Sequence, residues 1–239
     1  MRHFIILLIA AIYFPTLPAQ DKLEGNMALD IVSQYIWRGQ DLGNVSIQPT
    51  LGISWKGLSL TAWGSVGLTS SKDTKELDLT LAYATHGFNI GVTDYWFNQG
   101  GDVRGHYFAY TAHHTNHIFE ANIGYDFGFL SLQWYTNFAG NDYLDYNGKH
   151  AYSSYFEVSA PFRLVTCNWN ASVGVSPYAS TLYGNNKFAV TNITLKATKT
   201  FNIKQKVSIP IYLGITVNPQ SSKAYFWGGI AVQPNLQKK

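Results

Sequence analysis

Residues 207–217 read Val-Ser-Ile-Pro-Ile-Tyr-Leu-Gly-Ile-Thr-Val, with an apolar residue at every odd position. A period of two is the pattern of a β-strand that has one apolar and one polar face. The same alternation recurs along the chain, for example at 58–68, 77–83, 128–138 and 165–175. Beyond the first twenty residues, no stretch has a convincing helical period. The sequence therefore predicts an all-β fold.

The connections between these segments alternate between short and long. Short links are predicted near 56–57, 85–87, 126–128, 163–164 and 201–204, and longer polar loops near 39–46, 69–74, 98–113, 139–151, 178–187 and 218–222. Short turns on one side and long loops on the other are typical of outer-membrane barrels. The pattern predicts a transmembrane antiparallel up-and-down β-barrel of about twelve strands. An extra hairpin within 104–117 would raise the number to fourteen.

The composition favours a lipid-embedded barrel over a soluble β-sandwich. Charged residues make up 13% of the chain and aromatic residues 15%, whereas soluble domains contain about 25% charged residues. The polar face of the strands consists of Ser, Thr, Asn, Gly and Tyr, without the Lys and Glu that cover a sandwich. The formal charge is +3 with no basic run, so no nucleic-acid partner is predicted. The lone Cys167 cannot form an internal disulfide.

The first twenty residues have the features of a secretory signal peptide. A short polar start precedes an apolar run from Phe4 to Phe14, and Ala19 or Gln20 lies at the expected cleavage point. We therefore predict a signal peptide at 1–20, a barrel domain at 21–239 and export to the bacterial outer membrane. The expected partners are outer-membrane lipid, lipopolysaccharide and the barrel-assembly machinery. The chain ends in Gln237-Lys238-Lys239 instead of the terminal aromatic residue of many such barrels.

The first predicted hairpin carries a distinctive motif. Residues 33–39 read Ser-Gln-Tyr-Ile-Trp-Arg-Gly, followed by Gln48-Pro49 and by Ala-Trp-Gly-Ser at 62–65. This stretch resembles the TorF-like (Gcw_chp) family of outer-membrane porins, over residues 30–66. The resemblance implies a single outer-membrane barrel with a passive-channel role, and it carries over no catalytic residue.

Two groups of side chains are candidates for function. Strand parity and position predict a lumen-lining set of Asp30, Arg38, Asp78, Glu120, Glu157 and Lys196. These charges either set an ion or solute preference or form a salt-bridged network that fills a narrow interior. The guanidinium of Arg38 is expected to pair with a lumen carboxylate or with lipopolysaccharide phosphates. Aromatic residues at segment ends predict a membrane-interface set of Tyr35, Trp37, Trp96, Phe226 and Trp227.

The histidines predict neither a metal nor a catalytic site. On a strand, His113 and His117 would share a face but lie about 13 Å apart, and neither cysteines nor clustered carboxylates accompany them or His106 and His114. A lipid-modifying enzyme would need a serine and a histidine in contact, and no Gly-x-Ser-x-Gly motif is present. No cofactor is predicted.

The sequence thus favours a small porin-like passive channel for ions or small solutes. A plugged structural barrel without transport remains an alternative, and an outer-membrane lipid-modifying enzyme is a weaker one.

Overall fold

The computed structural model describes residues 22–70, 73–98, 107–111, 114–145 and 147–235. The predicted signal peptide lies outside these residues. Across the part of the chain described, the structure contains no helix of the length and hydropathy needed to span a bilayer.

Twelve of the fourteen strands close into a single antiparallel barrel. The strands are β1 (Glu24–Val32), β2 (Tyr35–Trp37), β3 (Gln40–Gly43), β4 (Ser46–Trp55), β5 (Leu58–Gly67), β6 (Lys75–Thr85), β7 (Phe88–Phe97), β8 (His117–Asp126), β9 (Ser131–Gly140), β10 (Ser154–Leu164), β11 (Cys167–Ser176), β12 (Ala189–Ile203), β13 (Val207–Asn218) and β14 (Lys223–Pro234). Each barrel strand pairs with its neighbours in sequence order, β1 pairs with β4, and β14 closes the ring on β1. The prediction of twelve strands is confirmed.

The fourteen-strand alternative is wrong, because residues 107–111 form no strand and β7 pairs directly with β8. The additional hairpin lies elsewhere. β2 and β3 form a separate two-stranded sheet within the first long loop, between β1 and β4.

The short links are tight turns at one end of the barrel. Lys56-Gly57 and His86-Gly87 have positive φ at both positions, which is the backbone of the type I′ turns that join twisted antiparallel strands. Two links lie further along the chain than the sequence predicts. β10 continues to Leu164 and β12 to Ile203, because the outward apolar alternation extends through both segments.

The outer surface of the barrel is apolar along the middle of the strands. Large apolar side chains are exposed on successive strands, among them Leu29, Leu51, Leu60, Leu81, Ile90, Ile123, Val173, Leu195, Leu213 and Ile230. In water this much exposed hydrocarbon would be unfavourable, whereas in a bilayer it meets lipid chains of the same polarity. The surface therefore fits a membrane-spanning barrel.

An aromatic belt surrounds the short-turn end of this surface. It consists of Trp55, Tyr83, Tyr125, Phe162, Trp169 and Phe201. Phe162 and Trp169 stack across the β10–β11 pair with ring centroids 6.1 Å apart. Such rings suit the headgroup level of a bilayer. None of these residues belongs to the interface set predicted from the sequence.

The membrane-facing surface predicts how charge is tolerated on the two faces. Leu213 is 69% exposed on the outer face near the middle of β13, so Leu213→Arg should lower the free energy of unfolding by about 2–4 kcal/mol in lipid vesicles. Ser159 lies on the inner face of β10, two positions from Glu157, and Ser159→Arg should cost under about 1 kcal/mol. Equal losses in denaturant titrations of the two variants would contradict the assignment of faces.

Candidate functional site: the hairpin inside the barrel

The hairpin of β2 and β3 lies inside the barrel. The Tyr35 ring packs against Trp63 of β5 with centroids 5.5 Å apart, and its hydroxyl donates to Glu76 of β6 at 3.0 Å. At the other side of the lumen, the Gly39 carbonyl accepts a hydrogen bond from the Asn218 side chain of β13 at 2.9 Å. Because these partners come from opposite walls, the hairpin crosses the lumen.

The turn of the hairpin has a left-handed backbone at both central residues. Arg38 has φ 49° and Gly39 has φ 80°. This conformation costs a residue with a side chain about 1–2 kcal/mol, so Arg38 is held there by its surroundings. Gly39 meets a second constraint, because a Cβ atom at this position would collide with the backbone carbonyl of Thr191 on β12. Only glycine fits at this approach.

The Arg38 guanidinium is the centre of the contacts inside the barrel. Its Nη1 and Nη2 atoms donate to the two carboxylate oxygens of Glu120 at 2.5 and 2.8 Å, and Nη1 also donates to the Tyr183 hydroxyl at 2.8 Å. The two side chains of the ion pair are 7% and 3% exposed. Three rings lie within 5 Å of the guanidinium carbon, those of Trp37, Tyr135 and Tyr155. Bidentate pairing and cation–π contact together fix the orientation of the group.

The base of the hairpin is tied to the second long loop. Asp73 accepts hydrogen bonds from the backbone and side chain of Asn44, from Thr69 and from the backbone of Ser70. Burial acts to raise the pKa of Asp73, but these hydrogen bonds outweigh it and hold the pKa below its ordinary value. The Asp73 carboxylate therefore remains charged at neutral pH and connects the two loops.

Burial of the inner wall changes along the barrel axis. Near the long loops, inward side chains are buried, as at Ser46, Ser65, Asn137, Ser176 and Asn218. Near the short turns, inward side chains such as Asn26, Asn168, Thr200 and Asn202 are exposed. The hairpin therefore fills the long-loop half of the lumen and leaves a polar, open vestibule in the short-turn half.

The structure places the six lumen candidates on the inner side of the barrel, in separate groups. Arg38 pairs with Glu120, so it is not available to lipopolysaccharide phosphates. Asp30 accepts a hydrogen bond from the Tyr212 hydroxyl at 2.8 Å, and the Lys196 ammonium lies 4.3 Å from the centre of that tyrosine ring. The other two carboxylates connect to the hairpin indirectly. Glu157 accepts from Tyr155, whose ring contacts the Arg38 guanidinium. Asp78 lies beside Glu76, the acceptor of the Tyr35 hydroxyl.

Three of the five predicted interface aromatics lie inside the barrel. Tyr35 and Trp37 belong to the hairpin, because β1 ends at Val32 and does not carry them to the outer rim. Trp227 faces inward, where its indole lies over Gly214 of β13 and donates to Thr216 at 3.0 Å. The other two, Trp96 and Phe226, have the parity of the outer face, and Phe226 is 75% exposed.

Sequence reasoning missed several residues that hold the hairpin. Glu76 lies two positions before Asp78 on β6 and therefore faces the same side. The alternation of the strand was enough to predict that Glu76 faces the lumen. Tyr135 and Tyr155 likewise share inward parity with neighbouring polar residues. Tyr183 lies in a long loop, where no periodic pattern indicates which way a side chain points.

A second polar contact, between the buried His117 and the partly buried Asp94, lies on the outer face near the long loops. The Nδ1 atom of His117 is 2.7 Å from Asp94 Oδ1, and Nε2 is 2.5 Å from the Tyr107 carbonyl oxygen. Each ring nitrogen therefore has an oxygen partner, so neither is free to act as a metal ligand. His106 and His113 lie outside the described residues. Among the described ones, no group of three potential metal ligands comes together.

Comparison with protein families supports the resemblance seen in the first hairpin. The model of a family described as "bacterial protein of unknown function (Gcw_chp)" matches residues 19–221. The chain belongs to this family. No curated protein matches the sequence.

Solved structures with a related arrangement include several outer-membrane proteins. They include the COG4313 outer-membrane channel from Pseudomonas putida F1, with 14% identity, coverage of 92% of this chain and 96% of that one, and a TM-score of 0.43. OprD from Pseudomonas aeruginosa is 10% identical, with coverage of 88% and 65% and a TM-score of 0.31.

Removal of the Arg38–Glu120 ion pair should make the hairpin open more easily. Arg38→Met leaves the Glu120 carboxylate buried without its partner, so the free energy of opening the hairpin should fall by about 3–5 kcal/mol. Hydrogen exchange of residues 35–43, with the barrel strands as internal reference, measures this change. The double variant Arg38→Met/Glu120→Gln should recover part of the protection, because a neutral amide replaces the unpaired charge. Unchanged exchange in Arg38→Met would contradict the central role of the pair.

The His117 contacts predict a loss of stability that a neighbouring histidine does not share. His117→Phe keeps a ring at this position but removes both hydrogen bonds, so the free energy of unfolding should fall by about 1–3 kcal/mol. His114 is exposed, and His114→Phe should change the free energy of unfolding by less than about 0.5 kcal/mol. Thermal unfolding in detergent micelles compares the two variants. Equal values would show that the buried contacts contribute nothing.

Proposed function

We propose that the protein is a small outer-membrane channel of Gram-negative bacteria whose lumen is closed at the outer end by the β2–β3 hairpin. The observation that supports it most is the unequal filling of the lumen. The hairpin buries the inner wall in the long-loop half, and the short-turn half keeps exposed polar side chains such as Asn26 and Asn202. A barrel that served only as a structural element would have no need of an open polar vestibule beneath the hairpin.

The proposed orientation places the long loops outside the cell and the short turns in the periplasm. This is the arrangement of bacterial barrels with alternating loop lengths, and it puts both ends of the described chain on the periplasmic side. The apolar outer surface and the aromatic belt then contact outer-membrane lipid. Lipopolysaccharide would surround the long-loop rim, and insertion would depend on the barrel-assembly machinery.

The contacts of the hairpin are of a kind that water can replace. Tyr35 binds Glu76, Asn218 binds the Gly39 carbonyl, and Arg38 binds Glu120. A hydrogen bond inside a protein contributes about 0.5–1.5 kcal/mol net between neutral groups and about 1.5–3 kcal/mol to a charged group, because the separated groups are hydrated instead. A hairpin held in this way can leave the lumen at a moderate cost in free energy. An apolar plug would not suit a polar lumen, because it could not form hydrogen bonds with the lumen wall.

The charge of the inner side favours cations. Its described acidic groups include Asp30, Glu76, Asp78, Glu120 and Glu157, whereas the described cations on this side include Arg38, Lys196 and, near the short turns, Arg163. Rings of acidic side chains make pores selective for cations. We therefore expect an open channel to pass small cations more readily than anions of the same size.

A plugged structural barrel is the second candidate function. It is favoured by the depth of the Arg38–Glu120 pair, whose side chains are 7% and 3% exposed. The two candidates differ in one property, which is whether the hairpin leaves the lumen in the intact protein.

Conductance in planar bilayers separates the two candidates. The wild-type protein should show brief openings of low conductance, and a variant with residues 35–43 replaced by a short Gly-Ser linker should show stable openings roughly tenfold larger. Leu213→Met on the outer surface is the control for insertion and should behave like the wild type. Reversal potentials in asymmetric KCl should indicate cation preference. A wild type that never opens, beside a linker variant that conducts, would overturn the channel in favour of the plugged barrel.

A further inference from the structure

A cavity of about 530 Å³ lies at the long-loop mouth, between the hairpin and the walls of β7, β8 and β9. Its volume is within the range of about 300–1,000 Å³ typical of small-molecule sites. Described residues that line it include Trp37, Tyr95, Phe97, Asn141, Asp142 and Tyr143. We propose that this cavity binds a neutral saccharide of a size that fits it, such as a disaccharide.

The aromatic side of the cavity is pre-arranged. Tyr95 and Phe97 point inward from β7 with their rings stacked at 15° and centroids 6.2 Å apart. Trp37 meets Tyr95 edge-on at 6.2 Å, and its other contacts to Arg38 and Tyr183 fix its position. The C–H faces of sugar rings pack on such aromatic surfaces, and rigid rings lose little entropy when a ligand binds.

The polar side supplies amides near the rings. Asn137 is 2% exposed and donates to Asp142, which is 1% exposed, at 3.0 Å. Asn141 and Gln40 line the same cavity, and the Gln40 side-chain nitrogen is buried without an acceptor among the described residues. A ligand hydroxyl both donates and accepts, so it matches amide groups whichever way they point.

The charges around the cavity are already engaged, which favours a neutral ligand. The Asp142 carboxylate accepts from Asn137 on one oxygen and from the Ser153 backbone, at 2.9 Å, on the other. Arg38 is committed to Glu120. An anionic solute would therefore meet no unpaired cation among the described residues that line the cavity, and an amine would have to displace existing hydrogen bonds. Aromatic rings with amides and no free charge form a site for polyols.

Direct binding tests the site without requiring transport. Isothermal titration of the detergent-solubilised protein with glucose, maltose, sucrose and lactose should give saturable binding of at least one disaccharide. Phe97→Leu and Asn141→Ala, which lie outside the hairpin, should each weaken it roughly tenfold, as for the loss of one buried contact of about 1.4 kcal/mol. Trp55→Leu, an aromatic change at the opposite end of the outer surface, is the matched control and should bind like the wild type.

The results that would overturn the saccharide site differ from those that would overturn the proposed channel function. Binding of choline but of none of the sugars would overturn the assignment in favour of a cation site, and equal binding by all variants would place the sugar elsewhere. Absence of any binding would also overturn it. None of these results depends on conductance. A protein that binds sugar but shows no conductance in planar bilayers would overturn the proposed channel function and leave the saccharide site standing.

Discussion

The ion pair of Arg38 with Glu120 determines how the interior of this barrel is arranged. A buried pair of this kind contributes little net stability, because desolvation of both charges offsets their attraction. Its effect is positional. The carboxylate fixes both arms of the guanidinium, and three rings surround it. These contacts hold Arg38 in a left-handed backbone and so hold the hairpin across the lumen.

The hairpin lies in an environment opposite to that of a soluble core. The exterior of the barrel is apolar and the lumen polar, so the hairpin is held by hydrogen bonds and ring contacts and not by burial of aliphatic side chains. Each broken hydrogen bond is replaced by one to water. Under the proposed channel function, the filled and open lumens would therefore differ by a moderate free energy. The base of the hairpin stays anchored through Asn44 and Asp73, so an opening movement would hinge there.

The fold was predictable from the sequence because alternation is local. A period of two assigns each residue to a face for as long as its strand continues, and this assignment placed Asp78 and Glu157 on the inner side and would have placed Glu76 there too. The prediction for Tyr35 and Trp37 was wrong because it extended β1 beyond Val32. For Trp227, aromatic character at a strand end predicts the membrane interface, whereas strand parity predicts the lumen. Phe226 and Trp227 are adjacent and must face opposite sides.

The site itself was not predictable from one sequence, because its contacts join distant segments. Arg38 and Tyr183 are 145 positions apart, and Arg38 and Glu120 are 82 apart. Alternation indicates that Glu120 faces the lumen but not which cation meets it there. The motif at 33–39, on which the family resemblance depends, provides Tyr35, Trp37, Arg38 and Gly39 together. Each of these has an inner partner and none contacts lipid. The most distinctive stretch of the sequence therefore encodes how the lumen is filled, whereas the membrane-facing surface needs only apolar side chains in alternation.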